Sequence, residues 1–168
     1  RCTCVLMLFF LMMLRPPVST PLSLHDALPI CLAKERGEPF ASPEKDVEHS
    51  GDELSGAKEG DDEVVTIHTK LTPQHVKKYI CFLSIFDAEK RQQNFGMVEG
   101  AVAEIRNATT KEVIATIDLT EQSSSNTSVN AFEIIRGDNG YNAKTVSQGF
   151  NGGINAALAI VVVSPALL

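Results

Sequence analysis

The chain has 168 residues, 43% of them hydrophobic, and a formal charge of −6 with a pI near 5.2. That is enough apolar material for one globular domain, and the acidic balance excludes nucleic acid or an anionic membrane as the main partner, since both reward lysine and arginine. Cys2, Cys4, Cys31 and Cys81 form no C-x-x-C or Cys/His cluster, which argues against a zinc site or disulfide scaffold and fits a reducing, cytoplasmic setting.

In chain order, "VLMLFFLMML" (residues 5–14) comes first. It is shorter than the roughly 20 apolar residues needed to span a bilayer, so no transmembrane segment is expected. "RPPVSTPLSLHDALPI" (residues 15–30) lacks a convincing small-residue cleavage site, and it resembles the peptide obtained by translating a sequencing adapter. Residues 1–31 are therefore expected to be a non-native leader or assembly artefact without ordered structure, with a secretory signal or a genuine N-terminal arm as alternatives. Residues 32–50 are polar, contain Pro39 and Pro43, and read as a linker.

Beyond residue 63 the pattern changes to short strands parted by turn residues. "EVVTIH" (63–68) alternates, with Val65 and Ile67 on one face, and "TPQH" (72–75) breaks it with a proline turn. "KYICFLSIFD" (78–87) is apolar on both faces, as a central strand between two layers should be. "MVEGAVAEIR" (97–106) alternates again, setting Val98, Val102 and Glu104 opposite Ala101, Ala103 and Ile105. "NATTKE" (107–112) predicts a turn, "VIATIDL" (113–119) a strand, and "EQSSSNTS" (121–128) a polar loop. "VNAFEIIR" (129–136), "GDNG" (137–140) and "YNAKTVSQ" (141–148) predict a hairpin whose tip takes positive φ angles. Only "GGINAALAI" (152–160) reads as helix. The expected fold is all-β, an antiparallel sandwich over residues 51–160 with a short C-terminal helix and a tail from 161 to 168.

The most unusual stretch is "SGDELSGAKEGDDE" (50–63), which crowds six carboxylates into fourteen residues. Two like charges about 4 Å apart repel by about 1 kcal/mol in water and more at lower dielectric. A hard divalent cation would offset that repulsion, and calcium takes six to eight oxygens of the kind Asp, Glu, Ser and backbone carbonyls supply. Gly51, Gly56 and Gly60 allow the backbone to curl. The stretch is not an EF-hand. Asp52 and Glu63 fall at its first and twelfth positions, but Leu54 and Gly56 occupy the third and fifth, and Ala57 replaces the required glycine. On chemistry alone, a calcium site and a merely solvated acidic loop both remain open.

Four motifs in order bear on that choice. The loop just quoted, "SIFDAEKRQQNFGMVEGA" (84–101), "IDLTE" (117–121) and "SQGFNGGINAAL" (147–158) together resemble the TerD family of tellurium-resistance and stress-response proteins across roughly residues 42–160. The resemblance implies an antiparallel β-sandwich that binds calcium. It carries the metal role onto Asp52, Glu53, Ser55, Asp61, Asp62 and Glu63. Departures are Ala57 and Lys58 in the loop and Glu53 where the family commonly has Asn. The resemblance also implies an N-terminally truncated chain and an incomplete sandwich, its opening strands missing.

Other residues take simpler readings. Asp87 and Glu89 are a candidate carboxylate pair for a hydrolase, but Asp87 more simply accepts hydrogen bonds from the following loop. Asn94-Phe95-Gly96 reads as a turn whose Phe plugs the core, and Cys81 as a small buried residue. His49, His68 and His75 lack ligand spacing, and the sequons at Asn107 and Asn126 read as coincidence. No residue with a plausible activating partner offers itself as a nucleophile. The expected function is a non-catalytic, calcium-binding stress-response module acting through protein partners; the alternative is an acidic β-sandwich interaction domain without metal.

Overall fold

A computed structural model describes residues 7–14, 27–29, 40–42, 44–50, 63–85, 88–98 and 100–163. The strands in chain order are β1 (Met7–Leu14), β2 (Ala27–Pro29), β3 (Phe40–Ala41), β4 (Val47–His49), β5 (Val65–Ile67), β6 (Lys78–Ile85), β7 (Val102–Arg106), β8 (Val113–Asp118), β9 (Ser128–Gly137) and β10 (Gly140–Phe150). Among the described residues the α-helices are α1 (Ala88–Arg91), α2 (Leu119–Gln122) and α3 (Gly153–Val163), with a 3-10 turn at Phe95–Met97.

One layer is a five-stranded sheet in the order β10-β9-β6-β1-β2, and the other consists of β3-β4-β5 and the pair β7-β8. Every ladder is antiparallel. The core fills the space between the layers. Tyr79, Cys81, Leu83 and Ile85 from alternate positions of β6 meet Val47, Ala103 and Ile117 of the opposite layer, with Val129, Ala131 and Phe132 beside them. The other face of β6 is closed as well, since Ile80 and Phe82 are buried, α3 packs against the strand, and Phe82 meets Phe150 edge-on at 5.8 Å. Residues 78–85 of the doubly apolar run are thus the central strand that the sequence predicts, while residues 86–87 lie outside the described residues.

Local chemistry shapes the connections. β9 and β10 pair with Gly137 opposite Gly140, leaving Asp138 and Asn139 as a two-residue tip. The positive φ falls at Gly140 rather than on those two residues. Asn107 Oδ1 accepts from the amides of Thr109 and Thr110, at 2.9 and 3.1 Å, so this side chain builds the β7–β8 turn. Phe95 is fully buried and its turn docks on the 123–126 segment, where Gly96 N–H donates to Ser124 O. A Cβ on Gly96 would sit 2.8 Å from that carbonyl oxygen, which explains the glycine.

Three stretches differ from the sequence reading. "EQSSSNTS" was expected as loop, yet residues 119–122 form α2, because Asp118 caps it by accepting from Glu121 N–H at 3.1 Å. β3 and β4 fall within residues 32–50, read above as a linker; Ser42, Asp46 and Val47 are buried there. β1 and β2 fall within residues 1–31, set aside above as leader; all eight residues of β1 pair with β6.

Candidate functional site

The acidic stretch is the connection of a hairpin. β4 and β5 pair with Val47 opposite Ile67, Glu48 opposite Thr66 and His49 opposite Val65. One rung further, Ser50 N–H donates to Val64 O at 2.9 Å, and Val64 N–H donates to Ser50 Oγ at 3.0 Å. These two bonds close the neck of the hairpin on either side of residues 51–62.

Glu63 stands at that neck, its side chain only 5% exposed, with His49 Nε2 3.8 Å from Glu63 Oε2. His68 lies 3.2 Å from Glu48 on the same ladder. Both histidines were read from the sequence as lacking ligand spacing. The structure gives each a carboxylate neighbour across the hairpin.

At the other end the hairpin is tied to the central strand. Asp46 is fully buried and accepts from Ser42 Oγ at 2.6 Å and from the Tyr79 hydroxyl at 2.7 Å. The Tyr79 oxygen also lies 2.7 Å from Thr72 Oγ1. With a single phenolic proton directed at the carboxylate, Thr72 completes the phenol's hydrogen bonding. Burial, and then Asp46 beside it, hold the Tyr79 phenol well above its ordinary value of 10.0, against the opposing Thr72 bond. Asp46 O accepts from His68 N–H at 2.7 Å. The segment that follows β5 is held by Arg136, whose guanidinium donates to the carbonyls of Thr72, Pro73 and Val76 while stacking 4.8 Å over Tyr141.

Of the six residues assigned to the metal, Glu63 is described; Asp52, Glu53, Ser55, Asp61 and Asp62 lie outside the described residues, as does Asp87. Among the described residues no group of three His, Cys, Asp or Glu gathers into a metal-binding cluster. The donor chemistry of the set fits a hard cation, being carboxylate and hydroxyl oxygen throughout. Glu63, largely withdrawn from solvent at the exit of the loop, is the one donor of the set with a described position. Glu89 is exposed on α1.

Fold and hairpin define a class, an antiparallel β-sandwich in which an acidic sequence segment connects β4 and β5. The TerD domain family model matches residues 38–159, and the chain belongs to the TerD family. It is 39% identical over 108 residues to general stress protein 16U of Bacillus subtilis, covering 64% of this chain and 56% of that protein. It is 35% identical over 120 residues to tellurium resistance protein TerD of Serratia marcescens, covering 71% and 62%. The chain thus spans roughly six tenths of the length of these relatives. A solved homologue of telluride resistance protein from Streptomyces coelicolor A3(2) shares the fold, with a TM-score of 0.65 at 13% identity over 96% of this chain and 99% of that one. No helix among the described residues is long and apolar enough to cross a membrane.

Proposed function

We propose that this chain is a calcium-binding, non-catalytic module of the tellurium-resistance and stress-response type, working in the cytoplasm through other stress-response proteins. The observation that supports the reading is the pair of hydrogen bonds between Ser50 and Val64, which closes the hairpin on either side of a sequence segment carrying six carboxylates between residues 50 and 63. A bound calcium ion supplies two positive charges to offset their mutual repulsion. Asp52, Glu53, Ser55, Asp61, Asp62 and Glu63 are the residues that would hold it, and the Asp46–Tyr79 contact ties the β4 end of the hairpin to β6. The names of the relatives support the stress-response setting, and the acidic balance supports protein partners over nucleic acid.

A ligand at 100 times its dissociation constant stabilises the folded state by about 2.7 kcal/mol. Millimolar calcium is therefore expected to raise the melting temperature by several degrees, with reversal by chelator. In the Asp61→Asn/Asp62→Asn variant the rise is expected to vanish. An unchanged melting temperature in the unaltered chain would favour the acidic interaction sandwich without metal, a reading that the Lys58 cation within the loop also favours.

A further inference from the structure

We infer that Asn139, at the tip of the β9–β10 hairpin, is a site of spontaneous deamidation, whereas the fold holds Asn151 against the same reaction. Asparagine followed by glycine occurs twice in the sequence, at 139–140 and at 151–152. Glycine opens the way to this chemistry, because no Cβ shields its backbone nitrogen and its dihedrals are free. The Gly140 nitrogen attacks the side-chain carbonyl carbon of Asn139, an N–C bond forms, and the side-chain nitrogen departs as ammonia. Water then opens the resulting succinimide at either carbonyl. One opening leaves aspartate at 139. The other leaves isoaspartate, in which the main chain runs through the former side chain. Water is the co-reactant in both, and no oxidant or cofactor is needed.

The two sites differ in what restrains them. Asp138, Asn139 and Gly140 are exposed, and Gly140 pairs with Gly137 in the last rung of the ladder. A terminal rung opens at little free-energy cost, which releases the Gly140 nitrogen. A Cβ added at Gly140 would meet nothing within 4 Å, so the space beside the attacking atom is clear. Asn151 is exposed too, so exposure alone does not separate them. Its Oδ1, however, accepts from Thr127 N–H at 2.9 Å, and Gly152 N–H donates to Thr127 Oγ1 at 3.4 Å. One residue thus restrains both the group to be attacked and the nitrogen that would attack. Thr127 is itself anchored, since its carbonyl accepts from Ile85 N–H of β6 at 2.9 Å. Conversion at 139 sets a new carboxylate beside Asp138 and takes the formal charge of −6 one unit further. The tip therefore carries a mark that accumulates with time in the folded molecule.

The test is a timed incubation of the full chain in heavy-oxygen water at mildly alkaline pH, with circular dichroism to show that it stays folded. Tryptic cleavage after Arg136 and Lys144 puts Asn139 and Asn151 on separate peptides, and mass spectrometry reads the exchange of amide for labelled acid on each. In the folded chain Asn139 is expected to convert about tenfold or more faster than Asn151, because only the second must first break free of Thr127. In denaturant, where that restraint is gone, the two rates are expected to converge. Thr127→Val removes Oγ1 and is expected to speed Asn151 while leaving Asn139 unchanged, with a melting curve to show that the variant folds. Asn139→Gln is expected to abolish the signal at the tip, which assigns it to 139 rather than to Asn142 on the same peptide. An Asn139 amide that persists in the folded chain, equal rates at the two sites there, or a tip signal that survives Asn139→Gln would each overturn the inference.

Discussion

Tyr79 joins two layers through one oxygen atom. Its ring is core, packed 6.2 Å from Tyr141, while its hydroxyl reaches the buried carboxylate of Asp46. Removing that hydroxyl as Tyr79→Phe takes a donor from a carboxylate that water does not reach. The expected cost is about 1–3 kcal/mol in a denaturant melt, and a loss below a few tenths would show that Asp46 does not depend on the phenol. Cys81 contributes differently. Burial pushes its thiol from 9.0 up to about 12. The unfolded chain releases that proton from about pH 9 while the folded chain keeps it, so the thiol's contribution is intact below pH 9 and is lost as pH rises toward 12. Tyr79 acts in the same direction above its ordinary value of 10.0. Melting temperature is therefore expected to fall between pH 9 and 10, and Cys81→Ala should flatten that part of the profile. At this scale the sequence was half legible. Cys81 reads as core because its neighbours are apolar on both sides. Asp46 does not, because its partner lies 33 residues away and no local pattern records such a contact.

At the scale of elements, alternation of polar and apolar residues placed most of the strands. β7 shows why: Ala103 is buried and Ile105 half-buried while Val102 and Glu104 are exposed, a period of two visible in the letters themselves. α2 was missed although Asp118 and Glu121 stand at capping-box spacing, a signal outweighed by the serine-rich stretch after it. β6 and β9 hold a polar feature that periodicity cannot price. Lys78 Nζ lies 3.5 Å from Glu133 Oε2, with side chains 16% and 5% exposed. Lys78→Met strands a buried carboxylate and is expected to cost about 3–5 kcal/mol, whereas Lys78→Met with Glu133→Leu should cost much less. Equal losses in calorimetric melts of the two variants would show that the pair has no bearing on the sheet.

For the whole molecule, a sandwich was readable from strand spacing and from motif order, but the sheet order β10-β9-β6-β1-β2 was not. Which strands become neighbours depends on pairings such as Tyr79 with Ile134, set by burial across the layers rather than by adjacent residues. The acidic stretch was conspicuous in the sequence, yet its role as the connection of a hairpin emerged only from the β4–β5 register. That register has an entropic corollary. Bringing the ends of a flexible twelve-residue segment together costs about 2 kcal/mol from the length-dependent part alone. Here the ladder below has already brought them together, at Ser50 and Val64. On the proposed reading, calcium held by residues 51–62 need not spend its binding free energy on closing a ring, and keeps it for arranging the oxygens.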